Sequence, residues 1–293
     1  MSDRAGLRTG GQQVADALCR QGVDTVFCVP GESFLDVLNA LHGLQDRIRL
    51  VSCRHEGGAA FMAEAQGKLT RRPGVCMVTR GPGASNAAIG VHTAFQDATP
   101  MVLLIGQVGR EHMERGAFQE VDYRRMFGPL CKWVAQIDDV ARIDEFIDRA
   151  FAVALAGQPG PVVLALPEDM LTDSSFPIAA SARGKPAPPR PHPAPEEMRR
   201  LQALLATAAR PLLWLGGSLW SDVGLQDIAR FAADQALPVA CSFRRQDLFD
   251  NDSAHYVGET GLGMRDSLAQ AIERADLLLV VGARLSEVAT RGY

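Results

Sequence analysis

The feature that most constrains this chain is an alternation. Short apolar runs recur along it, most of them closed by a Gly- or Pro-containing break and most followed by a stretch of helical periodicity. The runs are residues 25–29 (TVFCV), 50–53 (LVSC), 75–79 (VCMVT), 101–105 (MVLLI), 133–137 and 162–166 (VVLAL). Strands apolar on both faces need cover on both sides, and strands separated by helices join into a parallel sheet through crossovers. The expectation is therefore an α/β fold with a doubly wound, parallel six-stranded sheet. Helices are expected over residues 11–22, 34–44, from Gly57-Gly58 onward, 84–95 and 140–156. The last has the clearest stripe: Val140, Ile143, Phe146, Ile147, Ala150, Phe151 and Ala154.

Residues 179–195, AASARGKPAPPRPHPAP, interrupt the alternation with six prolines. This composition predicts a semi-rigid linker, drawn here over 179–197, between a first domain of 1–178 and a second of 198–293. His192 lies in it and is expected to be solvated. The second domain predicts helices at 198–206, 223–236 and 268–275 and strands at 212–215, 239–243 and 277–281. It reads as a Rossmann-like α/β domain of about three strands, partial because the chain stops at Tyr293 just after a strand-end loop. A fragment or truncated chain is the expectation.

With 293 residues, 47% hydrophobic and 22% charged, the chain has enough apolar material for two cores. A net charge of -4 argues against nucleic-acid and anionic-membrane partners. No apolar run reaches the length of a membrane span, and the polar N-terminus has no signal-peptide core. Six cysteines show no CxxC or Cys/His ligand spacing. They read as reduced thiols of a soluble cytoplasmic protein.

Chemistry is expected where strands end. Glu56 stands between the run at 50–53 and the helix after Gly57-Gly58, and in an open α/β sheet ligands bind at carboxyl strand ends. A carboxylate there, beside an apolar strand, suits proton transfer; the plainer alternative is a solvated Glu at a helix start. Three further loops share that edge: Pro30-Gly31-Glu32-Ser33, Arg80-Gly81-Pro82-Gly83 and Gly106-Gln107-Val108-Gly109. Their glycines let backbone approach a flat ligand. The sequence has no GxGxxG after a strand, no GxxxxGK[ST], no GxSxG and no HExxH. The polar residues near the loops are Glu56, Asn86, Gln107, Gln119 and Glu120, a set suited to proton transfer and amide hydrogen bonding rather than nucleophilic attack.

The segment RHEGGAAFMAEAQGKLTRRPGVCMVTRGPGASNAAIGVHTAFQDATPMVLLIGQV, followed by AFQEVD, resembles the N-terminal domain of thiamine-diphosphate-dependent enzymes, nearest to the acetolactate synthase branch. The likeness runs from about Gly10 to Leu171 and, more weakly, from Arg210 to Tyr293. It implies that Glu56 hydrogen-bonds the aminopyrimidine ring nitrogen and so promotes loss of the thiazolium proton. It implies that Pro30, Gly31, Pro82, Gly83 and Asn86 surround the pyrimidine, while Gln107, Gln119 and Glu120 face cofactor and substrate, with Gln119 joining Glu56 in catalysis. The implied reaction is decarboxylation of a pyruvate-like 2-oxo acid with carboligation. Alternatives are a relative acting on acyl-CoA or sulfonated substrates, and a non-catalytic subunit lending its pyrimidine-binding face to a partner chain. The family's GDG motif for diphosphate and Mg²⁺ does not occur here. The resemblance thus places Mg²⁺ in another domain, assigns no metal ligand to this chain and expects it to be inactive alone. It also implies a homodimer or tetramer with the active site between subunits. In acetolactate synthases the central domain holds FAD, and both an FAD-binding and an FAD-free domain remain open here. The loop Gly109-Arg110-Glu111-His112 lacks the paired histidines of pyruvate-decarboxylase-type enzymes, which favours carboligation.

Overall fold

The computed structural model describes residues 6–176 and 192–293, so most of the proline-rich stretch lies outside the described residues. The chain divides into two compact units, Met1–Pro189 and Arg190–Tyr293.

The first unit opens on strand β1 (Arg8–Thr9) and helix α1 (Gly10–Arg20). Thr9 caps this helix reciprocally: its Oγ1 accepts from Gln12 N at 3.2 Å, while Gln12 Oε1 accepts from Thr9 N at 3.1 Å. There follow β2 (Thr25–Cys28), α2 (Leu35–His42), β3 (Arg49–Ser52), α3 (Glu56–Thr70), β4 (Gly74–Val78) and α4 (Gly81–Gln96). Beyond these come β5 (Met101–Gln107), α5 (Tyr123–Phe127), β6 (Trp133–Gln136), α6 (Ile143–Leu155), β7 (Pro161–Pro167), α7 (Glu168–Thr172) and β8 (Ser174–Ser175). Six strands form one sheet in the order β3-β2-β4-β5-β7-β6, and every pair is parallel.

The central strands explain the unbroken apolar runs, because every residue of β4, β5 and β7 is buried. Alternate side chains serve opposite layers. Val75, Met77, Val102, Leu104, Val162 and Leu164 join the core under α1 and α6. Cys76, Val78, Leu103, Ile105, Val163 and Ala165 join the core under α3 and α4. The latter two helices lie very close: a Cβ on Gly90 of α4 would sit 2.5 Å from Ala60 Cβ of α3.

Three local readings change. Gly81-Pro82-Gly83 is the first turn of α4 rather than a loop, with Pro at a position where its fixed φ suits a helix start. Gly106 and Gln107 are the last residues of β5 rather than its exit loop, because pairing with β7 continues to Gln107↔Pro167. The antiparallel pair β1–β8, Arg8↔Ser175 and Thr9↔Ser174, was not expected from two-residue segments.

The second unit contains α8 (Pro195–Thr207), β9 (Pro211–Leu215), α9 (Asp222–Asp234), β10 (Val239–Ser242), β11 (Tyr256–Thr260), α10 (Asp266–Arg274), β12 (Leu277–Val281) and α11 (Glu287–Thr290). Its parallel sheet runs β11-β10-β9-β12, four strands rather than about three. The sequence YVGET concealed β11: it is an edge strand carrying a glycine at φ +128° and a charge. Pro195 belongs to α8 rather than to the linker, which the first-turn tolerance for proline explains. A short helix, α11, follows β12, where a bare strand-end loop was expected. His192 is exposed.

Candidate cofactor-binding site

The chain leaves β2 for β3 on one side and returns to β4 on the other. The crevice over the carboxyl ends of β2 and β4 is thus the topological switch point of the sheet, where ligands of open α/β folds bind. Gly31 lies there. A Cβ on it would stand 2.5 Å from Thr79 Cβ and 2.8 Å from Thr79 Oγ1, so only glycine permits this approach. Thr79 Oγ1 in turn lies 3.0 Å from the buried Ser33 Oγ. The neighbouring Gly106 is equally tight against Ser33. Pro30 is exposed at the mouth.

Glu56 is the first residue of α3. His55 caps that helix, its Nδ1 accepting from Gly57 N at 3.0 Å. The half-buried Glu56 carboxylate thus sits where a helix dipole favours an anion. Its Oε2 accepts from Asn86 Nδ2 at 2.9 Å. Oε1 takes no hydrogen bond among the described residues, and a Cβ on Gly83 would lie 3.5 Å from it. One oxygen is held and the other faces a side kept open by glycine. Pro82 and Asn86 are both exposed on the outer face of α4.

Gln107, Gln119 and Glu120 belong to a second cluster. Gln107 is 1% exposed, and its amide is spent on backbone: Nε2 donates to Val121 O at 3.0 Å and Oε1 accepts from Val108 N at 3.0 Å. Glu120 braces its own loop, accepting from Glu114 N at 2.5 Å and Ala117 N at 3.1 Å. Both line a cleft of about 590 Å³ with Tyr123, Val134 and Ala165. Glu56 and Asn86 do not line it. Gln119 joins the two clusters, since its carbonyl accepts from Gly81 N at 3.0 Å. It holds φ +63°, rare for a residue other than glycine and concentrated at functional sites. Its Oε1 is buried and has no hydrogen-bond partner among the described residues.

Sequence reasoning named Ser33 and Arg80 only as members of the strand-end loops and gave no site role to Thr79 or Tyr123. The available signal was a charged residue placed between an apolar strand and a helix-opening glycine, at Arg80. The buried thiols are not nucleophiles. Burial, with the neighbouring Cys53 adding to it, pushes Cys28 up to about 12, and Cys76 is held well above the ordinary thiol range for the same leading reason. Among the described residues no group of three or more His, Cys, Asp or Glu is placed to hold a metal ion. No helix there is long and apolar enough to cross a membrane.

The arrangement fits an aminopyrimidine: an unpartnered carboxylate oxygen beside a glycine-lined crevice, and a buried unpartnered amide oxygen nearby. Comparison with known proteins gives the same direction. The model described as thiamine pyrophosphate enzyme, N-terminal TPP binding domain, matches residues 8–126, and that of the thiamine pyrophosphate enzyme central domain matches 198–293. The chain is 33% identical over 289 residues to the acetolactate synthase large subunit of Parasynechococcus marenigrum, covering 96% of this chain and 46% of that protein. It is 32% identical over 281 residues to the acetolactate synthase isozyme 2 large subunit of Escherichia coli, covering 96% and 50%. With the chloroplastic acetolactate synthase of Arabidopsis thaliana it shares 32% over 289 residues, covering 97% and 42%. The chain spans about half the length of these curated relatives.

Proposed function

Because this chain belongs to the thiamine pyrophosphate enzymes, carrying their N-terminal binding domain and central domain, we propose that it serves a decarboxylation of a pyruvate-like 2-oxo acid with carboligation, as in acetolactate synthase. The observation that carries this reading is the Glu56 carboxylate, with Oε2 held by Asn86 and Oε1 open toward the crevice. Thiamine diphosphate, when bound, supplies the electron sink for the carbon that loses carbon dioxide.

This chain's residues then have defined tasks. Glu56 Oε1 shares a proton with the aminopyrimidine ring nitrogen and thereby sets its tautomer. Asn86 keeps the carboxylate from rotating out of line. Gly31 and Gly83 leave room for the flat ring, with Pro30 and Pro82 at its margins. Gln119 offers its amide to the reacting groups, while Gln107 and Glu120 hold the loop that presents it. The domain limits 1–178 and 198–293 are kept in this reading, except that the linker drawn over 179–197 ends before Pro195, where α8 begins.

Mg²⁺ accompanies the diphosphate in this proposal, and no residue of this chain is assigned to either. FAD is proposed for the second unit, over the carboxyl ends of β9 and β12. There Gly217 and Gly282 cross so tightly that a Cβ on Gly217 would stand 2.4 Å from Gly282 O. Such a bare backbone floor admits a flat ligand, and flavin absorbance of the purified protein decides it. A homo-oligomer is also proposed: Phe61, Met62 and Ile89 are exposed apolar residues on α3 and α4, the helices that carry Glu56 and Asn86. The function is tested by supplying thiamine diphosphate, Mg²⁺ and pyruvate to the protein that carries this chain and following carbon dioxide release and acetolactate. Absence of both refutes it.

A further inference from the structure

We propose that Arg80 is the positioning residue for Gln119, gripping together with Gly81 the two successive carbonyls that set the Gln119 backbone. This rests on the reading of Gln119 given above. Arg80 Nη1 donates to Phe118 O at 3.4 Å, and Gly81 N donates to Gln119 O at 3.0 Å. Two consecutive donors on the strand-to-helix junction after β4 thus engage two consecutive acceptors on the loop before α5. Gln119 is held at φ +63°, a conformation that persists only where surrounding contacts enforce it. Gly81 belongs to the grip for steric reasons as well. A Cβ on it would meet Gln119 O at 2.9 Å and Val121 Cγ2 at 3.0 Å.

The guanidinium is itself anchored from two other strand ends. Glu168, at the start of α7, pairs with Nη2 at 2.9 Å, and Glu32, just past β2, stands 3.7 Å from it. Arg80 therefore ties the exits of β2, β4 and β7 to the Gln119 loop. Stability alone is a poor reason for it. Arg80 is 8% exposed and its Nε is buried without a partner among the described residues, so part of its desolvation goes uncompensated. Tyr123 OH and Gln119 Oε1 are also buried and unpartnered. A fixed polar geometry maintained at this cost fits placement of a functional group better than core packing.

The test uses the protein that carries this chain, as wild type, Arg80→Met, Arg80→Lys, Gln119→Ala and the Arg80→Met/Gln119→Ala double variant. Glu32 and Glu168 are 58% and 41% exposed at their side chains, so water takes over their charges when Arg80 is removed. Hydrogen exchange is read on peptides containing Gly81 and residues 117–121, where Glu120 N donates to Ala117 O at 3.0 Å. Arg80→Met is expected to speed exchange there about tenfold while α3 and β5 stay unchanged. Arg80→Lys keeps a charge but not the fork, and recovers part of the protection. With thiamine diphosphate, Mg²⁺ and pyruvate, Arg80→Met and Gln119→Ala should lower kcat by a similar factor, and the double variant no further. Thiazolium proton exchange should stay within about twofold of wild type. Unchanged protection at 117–121, loosening spread over the whole unit, or additive losses in the double variant would each overturn the proposal. Full turnover by Gln119→Ala would instead remove Gln119 from the proposed function, and the exchange data would still decide the grip.

Discussion

Asn86 donates its side-chain amide to Glu56 Oε2 across 2.9 Å, from the second turn of α4 to the first residue of α3. The bond joins two helices thirty residues apart in sequence. It leaves one carboxylate oxygen held and the other free. Such an arrangement gives a proton-sharing group a direction, and in the proposed chemistry that direction is toward the pyrimidine ring.

Replacing Glu56 by Gln is expected to slow thiazolium proton exchange by roughly 10²–10⁴, the usual contribution of a placed acid or base. Asn86→Ala should cost about tenfold, the value of a hydrogen bond to a charged group. Quenched-flow exchange followed by NMR on the cofactor-loaded protein measures both. Wild-type exchange in Glu56→Gln would remove Glu56 from this role.

Gly90→Ala should destabilise the protein by about 1–3 kcal/mol through overpacking, despite a helix-propensity gain of about 1 kcal/mol. The new Cβ would stand 2.5 Å from Ala60 Cβ and 2.9 Å from the Ala60 carbonyl carbon, on backbone that cannot swing aside. Because α3 and α4 carry Glu56 and Asn86, the variant should also loosen their hydrogen bond. Urea denaturation reads the first effect and thiazolium exchange the second; a variant as stable as wild type would contradict the packing account.

Thiol labelling should divide the cysteines by burial. Burial pushes Cys28, Cys131 and Cys241 up to about 12, and Cys76 well above its ordinary range. At pH 8 a thiol with a pKa near 12 is thiolate in about one molecule in ten thousand. These four should resist iodoacetamide until unfolding, while the half-buried Cys19 and Cys53 react first. A raised folded-state pKa means the native state keeps protons that the unfolded chain loses, so stability falls as pH rises past about 8.5. Mass spectrometry of native labelling checks the order, and early modification of Cys76 would contradict it.

Arg110 staples the segment after β5 to α7. Its backbone N and Nε donate to Asp169 at 2.9 and 2.7 Å, and its Nη2 to Asp173 at 2.5 Å. Partial burial pushes Asp169 up, but the Arg110 hydrogen bonds outweigh it and hold the carboxyl below its usual range. The unfolded chain then binds the proton more readily, so this contribution is present above about pH 4 and is lost as pH falls through the folded-state value. Asp169→Asn should therefore lower Tm at pH 7, with the gap to wild type closing as the solution is acidified. A gap that stays constant down to about pH 3 would contradict it.

The parallel six-stranded sheet was legible because β4, β5 and β7 are buried on both faces, which writes itself as unbroken Val, Leu, Ile and Met. The strand β11 was not, because an edge strand with one neighbour tolerates Gly258 and Glu259 and so looks like a loop. The helix start at Gly81-Pro82-Gly83 was misread as a loop for a related reason. Glycine and proline mark both turns and first helical turns, and only the continued backbone direction tells them apart.

The same division runs through the site. From adjacent residues the sequence determined that Glu56 stands at a strand-to-helix junction and that glycines line the neighbouring strand ends, while the family resemblance of the motifs around them implied thiamine-diphosphate chemistry. Periodicity and turn chemistry are properties of adjacent residues, so no tertiary knowledge was needed. Only the tertiary structure decided that Asn86 holds Glu56, that Gln107 spends its amide on Val121 and Val108, and that Arg80 reaches the Gln119 loop while pairing with Glu168. Apart from Val108, which adjoins Gln107, those partners lie far apart along the chain, and strand order and helix approach set their distances. No local pattern encodes such distances, because they follow from how both apolar faces of the sheet are covered at once.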